Sequence, residues 1–209
     1  MIQILIVDDH AIVRRGLKQI LADESDIRVS EIADPREALD LIRGQEWDLA
    51  VIDLDLPGRS GLELLKDVKR ERPSLPVLIL SVHPQEQFAV RTLKAGAAGF
   101  MSKDTAPEDL VKAIRKILRG GKYISESVAE QLVSGLHRKS EGAPHVSLSD
   151  REFEILRLFG AGKTATEIAE MLSISVATVR TYRARILDKM GLKTTAELVR
   201  YAVQHRLVS

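Results

Sequence analysis

The chain has 209 residues, 44% of them hydrophobic and only 4% aromatic, with no cysteine and a net charge of +1. That length suits two small domains with mainly aliphatic cores, and the missing cysteine excludes a disulfide scaffold and any thiolate-bound metal, as fits a reducing cytoplasm. No apolar run approaches the roughly 20 residues that cross a bilayer, and Met1 leads straight into an apolar strand, so neither a membrane span nor a signal peptide is expected and the expected location is the cytoplasm.

Charge is spread unevenly. Residues 1–120 carry 18 basic against 20 acidic side chains, residues 121–209 carry 13 against 10, and residues 174–193 carry five against one. A local basic excess rewards contact with a phosphate backbone, although a solvated helix face produces the same pattern.

In chain order, Ile2–Val7 is a continuous apolar run that stops at Asp8 and Asp9, and Ala11–Leu21 then has helical spacing through Ile12, Val13, Leu17, Ile20 and Leu21. Arg28–Ile32 reads as a second strand. Asp34, Pro35 and Glu37 form a helix start, with an N-cap, a proline at the first helical position and an acid in the first turn. Leu49–Ile52 ends at Asp53, Val77–Leu80 ends at Ser81, and Gly99–Ser102 ends at Lys103. Ser60 with Glu63, and Thr105 with Glu108, have capping-box spacing ahead of two more helices. Aliphatic runs alternating with helical segments predict a doubly wound α/β domain over 1–120, a flavodoxin-like parallel sheet in the order 2-1-3-4-5.

Residues 121–146 are expected to be a linker with one possible helix at Ser127–Leu136, and His137–Val146 has no periodicity at all. From 147 to 209 the strand signal is gone. Four helices are predicted at about Ser149–Phe159, Thr164–Leu172, Ser175–Met190 and Thr194–His205. Ser149 with Glu152, Thr164 with Glu167, and Thr194 with Glu197 have the spacing of capping boxes, and Gly162 and Gly191 stand where helix ends favour a left-handed residue.

The polar residues at the strand ends carry the chemistry. Parallel strands place their carboxyl ends on one edge of the sheet, where open α/β sheets bind ligands. Asp8 or Asp9 together with Asp53 can supply the carboxylates of a Mg²⁺ site, which keeps several waters and prefers oxygen ligands. A carboxylate is also a nucleophile toward phosphorus. Lys103 can neutralise a phosphoryl oxygen and Ser81 can donate a hydrogen bond to one. Each of these residues alone is an ordinary strand-end polar group; their occurrence at successive strand ends is the signal.

In Ala165–Ala184 a helix-turn-helix is legible, with Ala169 at the crossing, Leu172, Ser173 and Ile174 as the turn, and Ser175 as the second cap. On a 3.6-residue wheel Val179, Ile186 and Met190 share the inner face of the second helix. Thr181, Ala184, Arg185 and Asp188 fall opposite, with Arg180 on the flank. Arginine is the strongest guanine reader in the major groove, and Thr and Ala can meet a thymine methyl. A helical hairpin with a solvated basic face is the plainer alternative.

Through Val7-Asp8-Asp9-His10, Ile52-Asp53-Leu54-Asp55-Leu56-Pro57-Gly58, Ser81-Val82 and Lys103-Asp104, residues 1–120 resemble the receiver domain of bacterial two-component response regulators. Ser147–Leu207, from Leu148-Ser149-Asp150-Arg151-Glu152 to Lys189-Met190-Gly191-Leu192, resembles the LuxR/NarL-type four-helix DNA-binding domain. The whole is similar to a NarL/FixJ-type regulator. The resemblance implies that Asp53 is the phosphoacceptor, that Asp8, Asp9, Asp53 and the backbone carbonyl of Asp55 hold Mg²⁺, and that Ser81 and Phe100 are a switch pair. It implies a transcription regulator rather than an enzyme, with a cognate histidine kinase, a double-stranded DNA operator, RNA polymerase and a second copy on phosphorylation as partners. Arg180, Thr181, Ala184 and Arg185 would face bases, and Arg183 and Lys193 the phosphates.

The sequence departs from the family pattern in places. Asp104 stands where many receivers have proline, Phe100 lacks the hydroxyl of the frequent tyrosine, and Val82 is bulkier than usual. Tyr182 replaces a frequent histidine, and Ala184 stands where a relative reads bases with a second lysine, so no operator sequence carries over. Asp55 and His83 are expected to border the phosphoryl group. Asp53-Leu54-Asp55-Leu56 also resembles the motif of haloacid-dehalogenase-type phosphatases, but its last position is Leu and it closes the third strand rather than the first.

Overall fold

A computed structural model of the protein describes residues 1–82, 86–104, 107–124, 129, 143–205 and 207–208. The chain divides into two compact units, Met1–Val133 and Ser134–Ser209.

The first unit alternates strand and helix: β1 (Ile2–Val7), α1 (Ala11–Ala22), β2 (Ile27–Ile32), α2 (Pro35–Gly44), β3 (Leu49–Asp53), α3 (Gly61–Glu71), β4 (Val77–Ser81), α4 (Glu86–Lys94), β5 (Gly99–Ser102), α5 (Pro107–Leu118) and β6 (Tyr123–Ile124). The strands form one parallel sheet in the order β2-β1-β3-β4-β5-β6. The predicted order holds, with one addition. Tyr123–Ile124 pairs with Gly99–Phe100 as a sixth strand inside the segment read as linker; two residues are too few for a periodicity to show.

β3 and β4 are buried at every position, as unbroken aliphatic runs require in a sheet covered on both faces. One face packs Ile4, Ile6, Val51, Leu78, Leu80 and Met101 against Leu21 of α1 and Leu110, Ala113, Ile114 and Ile117 of α5. The α5 positions recur at i, i+3, i+4 and i+7, a single stripe of the helix. Burying each of its larger side chains contributes about 1.5–3 kcal/mol. Arg115, on the outer side of α5, donates to Asp26 at 2.6 Å and Glu24 at 2.5 Å and so ties α5 to the α1–β2 turn.

The helix starts follow the predicted caps. Asp34 accepts from the Arg36 N–H at 2.6 Å with Pro35 inside the helix, and Ser60 Oγ accepts from the Glu63 N–H at 3.3 Å. The cap at Thr105 and nearly all of the helix expected at Ser127–Leu136 lie outside the described residues.

The second unit opens with a 3₁₀ turn, Pro144–Ser147, followed by α6 (Asp150–Gly160), α7 (Ala165–Met171), α8 (Val176–Met190) and α9 (Thr195–Gln204). This turn spans the expected end of the linker at Val146. Pro144 opens the turn, His145 is buried, and its Nδ1 lies 2.6 Å from Tyr201 Oη. That partner is 56 residues away, which no local pattern reveals. Reciprocal capping boxes form at Ser149–Glu152 and Thr164–Glu167. At the third, Thr194 accepts from Glu197, but the Glu197 carboxylate turns to the Lys193 N–H at 2.7 Å instead of to Thr194. Gly191 ends α8 at φ 66°, a left-handed position.

Glu152 does more than cap. It is buried, and its Oε2 accepts from both the Ser149 N–H and Lys189 Nζ, at 2.8 and 2.7 Å, joining α6 to α8. Burial pushes its pKa up, but the Lys189 and Ser149 hydrogen bonds outweigh this and hold it below the usual glutamate value. A depressed folded pKa gives stability that is complete above the unfolded value of about 4.3 and is lost as pH falls through the folded one. Lys189→Met is therefore expected to cost about 1–2 kcal/mol at neutral pH, given a half-exposed lysine, and little near pH 3. Hydrogen-exchange protection of the α6 and α8 amides at both pH values measures it; an equal cost at both would contradict the pairing.

Candidate functional site

The sheet register builds the first site. Val7 pairs with Ile52, so Asp8 leaves β1 abreast of Asp53 at the end of β3. Ser81 pairs with Ser102, and Lys103 follows directly, its N–H donating to the Ser81 carbonyl at 2.8 Å. Four consecutive neighbours in the sheet thus deliver two carboxylates, a hydroxyl and an ammonium to one edge.

Asp8 and Asp53 are each about 1% exposed. In both, one oxygen is tied by the backbone N–H two residues on: His10 to Asp8 Oδ1 at 2.8 Å, and Asp55 to Asp53 Oδ1 at 3.2 Å. The other oxygens face Lys103, whose Nζ lies 2.6 Å from Asp8 Oδ2 and 2.7 Å from Asp53 Oδ2. Asp8 Oδ2, Asp9 Oδ1 and Asp53 Oδ2 are buried oxygens, with the Lys103 ammonium beside the first and third and His10 Nδ1 beside the second. Arg14 Nη1 holds the Asp8 carbonyl at 2.7 Å.

Electrostatics follow from this packing. Burial raises the Asp53 pKa, and the like charge of Asp8 adds to the rise; Lys103 and the Asp55 N–H counter it without cancelling it. For Lys103, burial favours the neutral amine, but the pairs with Asp53 and Asp8 prevail and hold it above the ordinary lysine value. Buried oxygens of like charge with unfilled lone pairs are the donor set a hard divalent cation satisfies.

Asp8, Asp9 and Asp53 bring ligand atoms within 4.8 Å of one another, and His10 joins them. His10 had no assigned role in the sequence reading. It is the N-cap of α1, and its Nδ1 lies 2.9 Å from Asp9 Oδ1. The available signal was a third polar residue directly after the strand-end aspartates.

Ser81 and Phe100 are both fully buried, Ser81 at the end of β4 and Phe100 within β5 opposite Ile79. Asp55 is exposed on its side chain, and Val82 is 47% exposed. His83 lies outside the described residues.

Gly61 explains how α3 can begin so close to Asp53. A Cβ there would lie 2.0 Å from the Asp53 carbonyl oxygen and 2.8 Å from Leu54 Cα, both rigid backbone atoms.

In the second unit, Val179, Ile186 and Met190 of α8 are buried, as the wheel requires. Arg180, Thr181, Arg183, Ala184, Arg185 and Lys193 are exposed. Thr181 Oγ1 donates to the Ala177 carbonyl at 3.0 Å, Arg183 Nη1 to Thr195 Oγ1 at 3.3 Å, and the Arg185 guanidinium lies 5.9 Å from the Tyr182 ring centre. Of the five basic residues in 174–193, Lys189 is committed to Glu152. Ser173 bridges α7 and α8 at φ 51°, a non-glycine residue in the left-handed region that sets the angle of the turn.

Comparison with known proteins bears on both units. Residues 4–115 match the response regulator receiver domain model, and residues 146–202 match that of the bacterial regulatory proteins of the luxR family. The response regulator UvrY of Escherichia coli K12 is 34% identical over 209 residues, covering 99% of this chain and 96% of that protein. The response regulator GacA of Pseudomonas aeruginosa is 36% identical over 210 residues, covering 100% and 98%. Among solved structures, Salmonella typhimurium RcsB superposes with a TM-score of 0.63 at 29% identity, over 97% of this chain and 100% of that one. RcsB has also been solved bound to a promoter in the presence of the phosphomimetic BeF₃⁻, with a TM-score of 0.61.

Gly61→Ala is expected to destabilise the first unit by about 1–3 kcal/mol, since the added methyl meets backbone and not a yielding side chain. Urea unfolding with and without the substitution checks this; an unchanged midpoint would show that the α3 start can retreat from Asp53 freely.

Proposed function

Because this chain belongs to the two-component response regulators that join a receiver domain to a LuxR-type DNA-binding domain, we propose that Asp53 accepts a phosphoryl group from a partner histidine kinase. The observation that carries the reading is the convergence of the buried oxygens Asp8 Oδ2 and Asp53 Oδ2 on Lys103, with Asp9 Oδ1 in the same cluster of ligand atoms.

An Asp53 carboxylate oxygen attacks phosphorus, the P–N bond to the donor imidazole breaks, and the imidazole leaves with the bonding pair. Asp8, Asp9, Asp53 and the Asp55 carbonyl would hold Mg²⁺, which supplies charge neutralisation for the phosphoryl oxygens when bound. Lys103 neutralises a further oxygen, already placed beside Asp53. Ser81 hydrogen-bonds the acyl phosphate and, with Phe100, relays its arrival. The step is stoichiometric, so this is a switch and not a turnover enzyme.

DNA contact is assigned to α8 and the turn that follows it. Arg180, Thr181, Ala184 and Arg185 face base edges, and Arg183 and Lys193 reach phosphates. A dimer on paired half-sites follows from the spacing rule for helix-turn-helix proteins, and RcsB has been solved as dimers on DNA. The kinase and the operator place the action in the cytoplasm, with RNA polymerase as the downstream partner.

Acetyl phosphate with Mg²⁺ is expected to add one phosphoryl group to the protein and none to Asp53→Ala, and EDTA should prevent the addition. Intact-mass measurement decides it; full labelling of Asp53→Ala would refute the assignment. On DNA, Arg180→Ala is expected to cost about 1–3 kcal/mol and relax preference at one base position, whereas Lys193→Ala should lower the salt dependence by about one ion for all sequences. Binding titrations against a panel of single-base operator variants separate the two; a uniform loss for Arg180→Ala would move it to the phosphate group.

A further inference from the structure

Residues 54–60, between β3 and α3, include the Asp55 carbonyl assigned above to the metal. The Gly61 N–H donates to the Leu54 carbonyl at 2.8 Å and closes the loop at its base. Leu54 and Leu56 bury their side chains beneath it. The far limb turns at Gly58, φ 73°, and then Arg59 reaches back to Asp67 in the second turn of α3.

Asp67 is 6% exposed, an unusual place for a carboxylate on a surface helix. Two guanidiniums meet it, from Arg59 and from Arg70, whose Nη2 donates to Asp67 Oδ1 at 2.6 Å. They differ in what they join. Arg70 lies one turn on in the same helix, so its pair links α3 only to itself. Arg59 lies on the loop, so its pair fastens the loop to a rigid element. A buried charge is costly unless paired, and the pairing therefore resists opening.

We propose that the Arg59–Asp67 pair is a tether that holds the 54–60 loop in register with β3, making Arg59 and Asp67 positioning residues for metal binding beside Asp53. The proposal rests on the reading of Asp8, Asp9, Asp53 and the Asp55 carbonyl as the ligand set. Mg²⁺ demands near-octahedral geometry and ligand distances near 2.0–2.1 Å, so a carbonyl on a loose loop is a poor ligand. Asp55 itself is exposed; the sheet holds the near side of its turn, where the Leu54 N–H donates to the Leu80 carbonyl at 2.8 Å, and the tether holds the far side at Arg59. Groups that orient ligands in this way typically change metal affinity by about 10–100-fold when removed.

The test is Mg²⁺ titration of the full-length protein by calorimetry, with acetyl-phosphate labelling rates measured across Mg²⁺ concentration. Arg59→Ala is expected to weaken Mg²⁺ binding by about tenfold, the low end of that range, and to label at the parental rate once Mg²⁺ is saturating. Arg59→Lys should recover part of the affinity, and Arg70→Ala should keep the parental value. A merely structural role would lower the thermal midpoint of Arg59→Ala and leave its Mg²⁺ affinity unchanged, and that result overturns the tether. A labelling defect that persists at saturating Mg²⁺ overturns it too. Failure of the underlying reading looks different: the parent protein would show no Mg²⁺ binding that Asp53→Asn weakens.

Discussion

Two carboxylates at the ends of neighbouring buried strands repel each other, and the first unit depends on how that repulsion is contained. Strand register leaves them no freedom, since Asp8 follows Val7, Val7 pairs with Ile52, and Asp53 follows Ile52. β3 is buried along its whole length, so neither strand can slide or twist to separate the charges. Containment comes from two sources: a backbone N–H on one oxygen of each carboxylate, and the Lys103 ammonium between the others. The arrangement is stable enough to fold and still leaves the buried oxygens Asp8 Oδ2, Asp9 Oδ1 and Asp53 Oδ2 with lone pairs to spare. That remainder is what gives a cation or a phosphoryl group something to gain by binding.

The same edge divides rigid from adjustable parts. Asp8, Asp53, Ser81 and Lys103 are fixed by sheet pairing. The loop 54–60 is fixed by two leucines beneath it, the backbone closure at Gly61, and the Arg59–Asp67 pair. The proposed switch draws on both. Phe100 is fully buried in β5, so any displacement of its ring must be matched by repacking, because an unfilled phenyl-sized hole costs about 3–5 kcal/mol. A packed interior of this kind answers a new charge by changing between discrete arrangements and not by gradual yielding.

How much of this was legible beforehand follows from the range of each interaction. The strands were readable because aliphatic runs stop abruptly at Asp8, Asp53, Ser81 and Lys103, and parallel topology then gathers those ends without further information. Caps at Asp34, Ser60, Ser149 and Thr164 were readable because donor and acceptor are two or three residues apart. Glu197 shows the limit even at short range: the spacing was right, and the carboxylate chose the Lys193 N–H. Contacts between distant residues gave no signal. His145 with Tyr201, Glu152 with Lys189, and Arg115 with Asp26 join segments 56, 37 and 89 residues apart. Arg59 with Asp67 is nearer, but both read as ordinary surface charges until α3 places one of them inside. The exposed side of α8 was legible from periodicity alone, whereas the withdrawal of Lys189 from it was not.

The two units place their charges by opposite rules, and each rule suits its ligand. A phosphoryl group is small and its chemistry needs low dielectric, so the first unit buries its carboxylates and lysine where Coulomb interactions are strong. A duplex presents a long, regular array of phosphates and base edges. The second unit answers with a helix whose inner face is locked by Val179, Ile186 and Met190 and whose outer arginines stay in water. Their long side chains keep the freedom to find register on a sequence, and the cost of desolvating them falls only at contact. Lys189 shows why the separation matters. It lies on the same helix as the exposed arginines, yet its charge goes to holding α6 and α8 together. The net charge of a helix therefore overstates what it offers a partner, and the residues to weigh are those whose charge no neighbour has already claimed.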